Sequence, residues 1–417
     1  MPEISSTTLS NGLPLHRIGI EGTRATTILV AFDAGARTER PEENGMAHFL
    51  EHLVFKGGET YPTYRDVNET AERMGAQLNA FTSHDYVAFH ITSRAESAPA
   101  AIDLLTDFVG RPGLDAEELD KERGVVIQEI ARAQDTPSVV AEHLIDRAAM
   151  GEHPLGRPVL GPSEHLRTFS RDAIVAFRER QWAGSNGGAF IVGNLDHVAA
   201  NGEIDELFSR FPSHDPPPPP EPAPPFEPQR LVEQRDSNQS HLRMSYRAAV
   251  DVSDRKQRNA LAIYATLLGG SMGSRLFDEI REQRGLAYSV YGVEHAHADT
   301  AILQLGAGLD SEKAIEAFER MGEIVEELRT DGPTKDEVER ARAYAGGRLV
   351  LAFEHTNAVA RYAATSTIVR REPIDPDDAI ASVDAVTFDE VREVATKISD
   401  QLAVAVVGPH DTSDFAG

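Results

Sequence analysis

The run from His214 to Pro228, reading HDPPPPPEPAPPFEP, limits the fold of this chain more than any other segment. Consecutive prolines fix φ, remove backbone donors and cannot continue a helix or a central strand. They favour an extended spacer of polyproline II character. The run lies almost halfway along 417 residues, and each flank is long enough to bury its own core. It therefore reads as a linker, with domains expected at 1–212 and 230–417 and the spacer at 213–229.

The two flanks look like a degenerate repeat. Ala189 to His197 (AFIVGNLDH) and Ala403 to Asp411 (AVAVVGPHD) are both short apolar strands ending in a glycine and a polar turn. Thr26 to Glu39 precedes a helical stretch at Gly45 to Val54, as His241 to Val250 precedes one at Arg258 to Leu268. Strand-like stretches follow at Ala76 to Thr92 and Leu286 to Gly308, then acidic amphipathic helices. One such helix is expected from Asp115 to about Arg132, with Pro137 stopping the local pattern. In the second half Thr334 and Glu337 make a capping-box signal for a helix running to about Leu351. The expected fold class is α+β: two mostly antiparallel sheets, each with helices packed on one face.

Composition excludes several functions. The chain has no cysteine, so a disulfide scaffold, a thiol nucleophile and thiolate metal sites are ruled out. Its 67 acidic and 41 basic residues give a net charge of −26. That balance argues against nucleic acid and against anionic membranes as partners. The N-terminus carries neither a secretory nor a transit pattern, and no apolar run is long enough to span a bilayer. A cytoplasmic protein is expected.

The segment His48-Phe49-Leu50-Glu51-His52 carries the chemistry. On a helix, His48 and His52 lie one turn apart on one face and can share a metal ion. Glu51 shares that face and can act as a general base toward water acidified by the metal. A third ligand must then be His, Asp or Glu. The Asp115 helix offers several glutamates, among them Glu122 and Glu129, seven residues apart and so on one face. Glu129 stands among Val125, Val126, Ile127 and Ile130, where an unpaired carboxylate would be costly; a solvated helix face is the other reading.

The run GMAHFLEHLVFKGGETYP, then GAQLNAFTS, then KERGVVIQEIARAQDTP, resembles the pitrilysin/insulinase metallopeptidases, whose zinc motif is inverted. The similarity is greatest to the short branch that includes the mitochondrial processing peptidase beta subunit and bacterial relatives, and it covers nearly the whole chain. It implies one Zn²⁺ per chain on His48, His52 and Glu129, with Glu51 activating water and Glu122 orienting the site. It also implies that Asn79 and Ala80 lie on an edge strand that pairs with the substrate backbone. After Ser83 the chain departs from the family pattern with His84-Asp85-Tyr86.

A second signature, SMGSRLFDEIREQRGLAYSVYG at Ser271 to Gly292, resembles the family's second domain. There the resemblance implies substrate contacts by Arg281 and Tyr288. The matching helix of this half, Ala262 to Leu268, has no histidine and offers no second metal site. The expected activity is that of a zinc endopeptidase acting on peptides or unfolded segments. Both motif sets occur on one chain, so a homodimer is expected, with a heterologous partner subunit as the alternative. The alternative function is a non-catalytic scaffold of a peptidase complex.

Overall fold

A computed structural model describes residues 3–198 and 201–416. The chain divides into two compact units that are not contiguous in sequence. The first comprises Met1–Ile130, Pro158–Glu221 and Leu351–Asp377; the second comprises Ala131–Arg157, Pro222–Val350 and Asp378–Gly417. The proline-rich run has no helix or strand from 212 to 229, and one unit boundary falls inside it, between Glu221 and Pro222.

The first unit is built on six strands: β1 (Glu3–Thr8), β2 (Pro14–Gly19), β3 (Ala25–Phe32), β4 (Gln77–Thr82), β5 (Val87–Arg94) and β6 (Gly187–Gly193). Their spatial order is β1-β2-β6-β3-β5-β4. Only the β2–β6 pair is parallel. β3 is buried along nearly its whole length, which requires cover on both faces. Ile28, Val30 and Phe32 enter the main core, together with Phe49 and Leu50 of helix α1 (Met46–Val54) and Leu104 and Phe108 of helix α2 (Ala98–Gly110). Leu29 and Ala31 point the other way.

Helix α3 (Ala116–Gln134) follows, its N-terminus capped by the Asp115 carboxylate. It stops near the expected point, but Pro137 does not merely end the pattern. It occupies the first turn of the next helix, α4 (Pro137–Met150), where its missing N–H costs nothing.

The second unit has five strands: β7 (Arg230–Gln234), β8 (Gln239–Ala248), β9 (Ala287–Ala296), β10 (Ala301–Asp310) and β11 (Ala403–Gly408). Their order is β7-β11-β8-β10-β9, again with a single parallel pair, β7–β11. Each strand has a counterpart in the first sheet, in the same order and direction; β1 alone has none. The α+β repeat read from the sequence is therefore a repeat of topology. The inner face packs on helices α5 (Arg255–Ala265) and α6 (Ala314–Asp331), through Leu261, Tyr264, Met321 and Ile324. Helix α7 (Lys335–Phe353) opens on the expected capping box, with the Thr334 N–H donating to Glu337 Oε2 at 2.7 Å.

The expectation of helices on one face only is corrected. Helix α8 (Thr356–Ala364), from the C-terminal half, lies on the outer face of the first sheet. Its Val359, Ala360 and Ala363 pack with Leu29, Ala31, Phe190 and Val192. Thr356 also shares a 2.8 Å hydroxyl contact with Thr27. Reciprocally, α4 covers the outer face of the second sheet, with Ile145 and Ala148 against Ile302, Ala403 and Ala405. Both outer faces are apolar and both sheets need this cover. Among the described residues, no helix is long and apolar enough to cross a membrane.

Candidate metal centre

Helix α1 is one-sidedly apolar. Met46, Phe49, Leu50 and Leu53 enter the core, which leaves His48, Glu51 and His52 on the opposite face. Its N-terminus is held by a buried carboxylate: Glu39 accepts from the Gly45 N–H at 3.0 Å and the Ala47 N–H at 2.7 Å. Burial pushes this carboxyl up to about 8 against those bonds, so it serves the helix start as a hydrogen-bond acceptor. Gly45 itself has φ of 97°, and a Cβ on it would meet the Leu160 carbonyl at 2.7 Å, so only glycine fits.

Three donors converge over this face. Single ligand atoms of His48, His52 and Glu129 lie within 4.8 Å of one another. Glu129 Oε2 is 3.4 Å from His52 Nε2 and 3.9 Å from His48 Nε2. Two imidazoles and one carboxylate at this separation suit a single divalent ion. The other nitrogen of His52, Nδ1, is 2.9 Å from Glu122 Oε1, which leaves Nε2 free for a metal. The second oxygen of Glu122 is paired with Lys56.

Electrostatics follow this arrangement. Burial, with His52 nearby, lowers the His48 pKa to about 4 and keeps the ring neutral, as a ligand must be. Burial also disfavours a charged His52, but its carboxylate neighbours, Glu122 foremost, more than offset this and raise its pKa. Glu122 shows the converse: burial raises its pKa, yet hydrogen bonds from His52 and Lys56 hold it below the usual range. Burial raises the pKa of Glu51, against the opposing hydrogen bond from Thr82 Oγ1 to Oε2 at 2.6 Å.

The sequence argument for Glu129 rests on a burial cost that the structure does not show. Its side chain is 43 % exposed, and Val125 beside it is 50 % exposed. No desolvation cost forces it to pair. The two-turn spacing from Glu122, whose side chain is 7 % exposed, brings it over the histidines. Sequence reasoning missed Lys56 and Thr82. Thr82 stands two beyond Ala80 on β4, so strand alternation could have found it; Lys56 lies in the turn beyond the end of α1, which no local periodicity places.

Asn79 and Ala80 lie on β4, the edge strand of the first sheet, paired on one side with His90 and Phe89. Thr82 and Ala80 face the α1 side, so Asn79 and Phe81 face the α8 side. Arg281 and Tyr288 belong to the second unit. The Arg281 guanidinium lies over the rings of Phe277 and Tyr288, at 4.7 and 5.5 Å. Tyr288 is 86 % exposed at the start of edge strand β9.

The chain is similar to known proteins along nearly its whole length. Residues 20–163 match the model of "Insulinase (Peptidase family M16)", and residues 168–344 match "Peptidase M16 inactive domain". The uncharacterized zinc protease YmxG of Bacillus subtilis is 30 % identical over 403 residues, covering 96 % of this chain and 97 % of the relative. An uncharacterized zinc protease of Streptomyces coelicolor is 29 % identical over 415 residues, covering 97 % and 90 %. Among solved structures, a protease from Helicobacter pylori superposes with TM-score 0.85 at 20 % identity, covering 98 % of this chain and all of that one. The peptidase M16 inactive domain from Pseudomonas fluorescens gives 0.90 at 17 % identity, covering 98 % and 99 %. These two establish the fold; the family matches and the full-length relatives establish more, and the chain belongs to peptidase family M16, the insulinase family.

Proposed function

We propose that this protein is a zinc-dependent endopeptidase acting on peptides or unfolded segments. One observation carries the reading: His48, His52 and Glu129 converge within 4.8 Å, with Glu51 on the same helical face. The names of its relatives as zinc proteases support it. A bound Zn²⁺ would supply Lewis acidity, polarising a substrate carbonyl and acidifying water.

The remaining roles belong to the chain itself. His48, His52 and Glu129 hold the ion, and Glu122 fixes the His52 ring. Glu51, its carboxylate aimed by Thr82, takes the proton from water and returns it to the leaving amine. The free edge of β4 at Asn79 and Ala80 pairs with an extended substrate backbone, which gives affinity with little sequence demand. Arg281 and Tyr288 supply further substrate contacts. Both motif sets occur on one chain, and we assign the working form as a homodimer in which the two sets come from different copies.

The test is cleavage of a quenched fluorescent peptide by the purified protein, with chelator, with zinc restored, and by Glu51→Gln. Cleavage should stop with chelator, return with zinc and be absent from the variant, which still binds one zinc. Loss of both cleavage and zinc binding in the wild type would leave a scaffold as the better reading. For the dimer, a mixture of Glu51→Gln and Arg281→Ala chains should regain activity that neither has alone; a monomeric mass would sink that assignment.

A further inference from the structure

Arg361 lies on α8, the helix that the C-terminal half lends to the outer face of the first sheet. It is exposed. Its guanidinium lies 4.4 Å from the centre of the Phe81 ring. Phe81 is on edge strand β4 and stacks edge-on against Tyr86, centroids 5.2 Å apart. The Tyr86 hydroxyl in turn reaches Thr365 Oγ1 at 3.0 Å. No carboxylate of the described residues pairs with Arg361. The chain carries a net charge of −26, and nearby Arg371 is paired with Asp33 at 2.8 Å.

A second group lies beside it. His90, directly opposite Asn79 in the β4–β5 register, is 7 % exposed. Its buried Nδ1 has no hydrogen-bond partner. Asn79, Phe81 and His90 share the α8 side of the sheet, whereas Thr82 and Ala80 share the metal side. A strand added to the free edge of β4 must obey the same alternation. Every second side chain would meet Thr82, Glu51 and the metal ligands. The intervening ones would meet Phe81 and Arg361.

The geometry points to a carboxylate-binding subsite at Arg361 on the α8 face of the substrate-pairing edge. This rests on the peptidase reading above and gives it a substrate preference. The guanidinium rests over the ring of Phe81 and donates to the Tyr86 hydroxyl; exposed, it keeps further N–H donors for a ligand. A planar fork so held suits bidentate binding of a carboxylate, which a lysine would not match. The carboxylate has two sources, an Asp or Glu side chain at alternate substrate positions or the free C-terminus of a short peptide.

The experiment walks a single Glu, and separately a single Gln, along a neutral quenched peptide with an amidated C-terminus. One further peptide has a free C-terminal acid. Wild type should prefer Glu over Gln by about fivefold in kcat/KM, the scale of a partly exposed charge-assisted contact. The preference should recur at every second position and shrink at high salt. Arg361→Gln should remove the Glu/Gln ratio, and Arg361→Glu should invert it. A preference seen only with the free acid would assign the terminal carboxylate. Cleavage with no Glu preference, or the same preference in Arg361→Gln, overturns the subsite and leaves the peptidase reading intact. If nothing is cleaved, the same panel is measured as binding to Glu51→Gln; no binding there overturns both.

Discussion

His52 presents its Nδ1 to Glu122 at 2.9 Å, and that carboxylate is shared with Lys56. Glu122 is thus a buried bridge between a metal-ligand candidate and a cation. Removing one partner of a buried charged contact leaves the other uncompensated. Lys56→Met should therefore misplace Glu122 and through it the His52 ring. The expected result is zinc affinity weakened by about tenfold, the lower end of the effect of outer partners on metal ligands. Competition with a chromogenic chelator measures it, and Lys56→Arg should recover part of the loss. Wild-type affinity in Lys56→Met would show that Glu122 holds His52 without help.

Thr82 donates to Glu51 at 2.6 Å and touches none of the three convergent ligands at a hydrogen-bonding distance. Its role is to aim the base. Thr82→Val keeps the shape and removes the donor. We expect kcat to fall by about tenfold, the scale of a lost charge-assisted hydrogen bond, with zinc content unchanged and Thr82→Ser restoring the rate. A drop in zinc content instead would place Thr82 in support of the metal site.

Much of this site is legible in the sequence, for a physical reason. His48, Glu51 and His52 lie within one turn of one helix, so helical periodicity alone puts them on one face. Glu122 and Glu129 likewise follow from a single spacing. What brings the two helices together is tertiary packing, which no local pattern encodes. Spacing alone therefore could not choose Glu129 over its neighbours, and the family resemblance was needed. The same limit explains α8 and α4. Each is an ordinary amphipathic helix in sequence, and nothing local says that the sheet it covers belongs to the other half. The Thr27–Thr356 contact spans 329 residues.

Metal binding should register as stability as well as activity. The three ligands come from α1 and α3, and an ion joining them favours the folded unit alone. At a free zinc concentration of about 100 times Kd the gain is about 2.7 kcal/mol. For a unit of this size that raises its melting temperature by about 5–10 °C. The shift should vanish in His48→Ala and survive in Glu51→Gln. An equal shift in His48→Ala would mean that zinc acts elsewhere.

Asp146 gives a pH dependence far from the metal. It stands on α4 one turn beyond Glu142, half-buried. Desolvation, reinforced by the Glu142 charge, pushes its carboxyl up to about 8. Glu142 stays ionised although burial opposes it, because Arg243, Tyr291 and Gln304 all donate to it. The folded chain thus keeps a proton on Asp146 that the unfolded chain releases near pH 4. Between about pH 4 and pH 8 the unfolded state binds fewer protons, so this group's contribution to stability falls as pH rises. Asparagine resembles the protonated acid and cannot ionise. Asp146→Asn should therefore match the wild type at pH 4 and exceed it by about 1–2 kcal/mol at pH 8. Urea unfolding midpoints at the two pH values measure the gap; a gap that does not widen with pH would show that Asp146 is ionised in the folded protein.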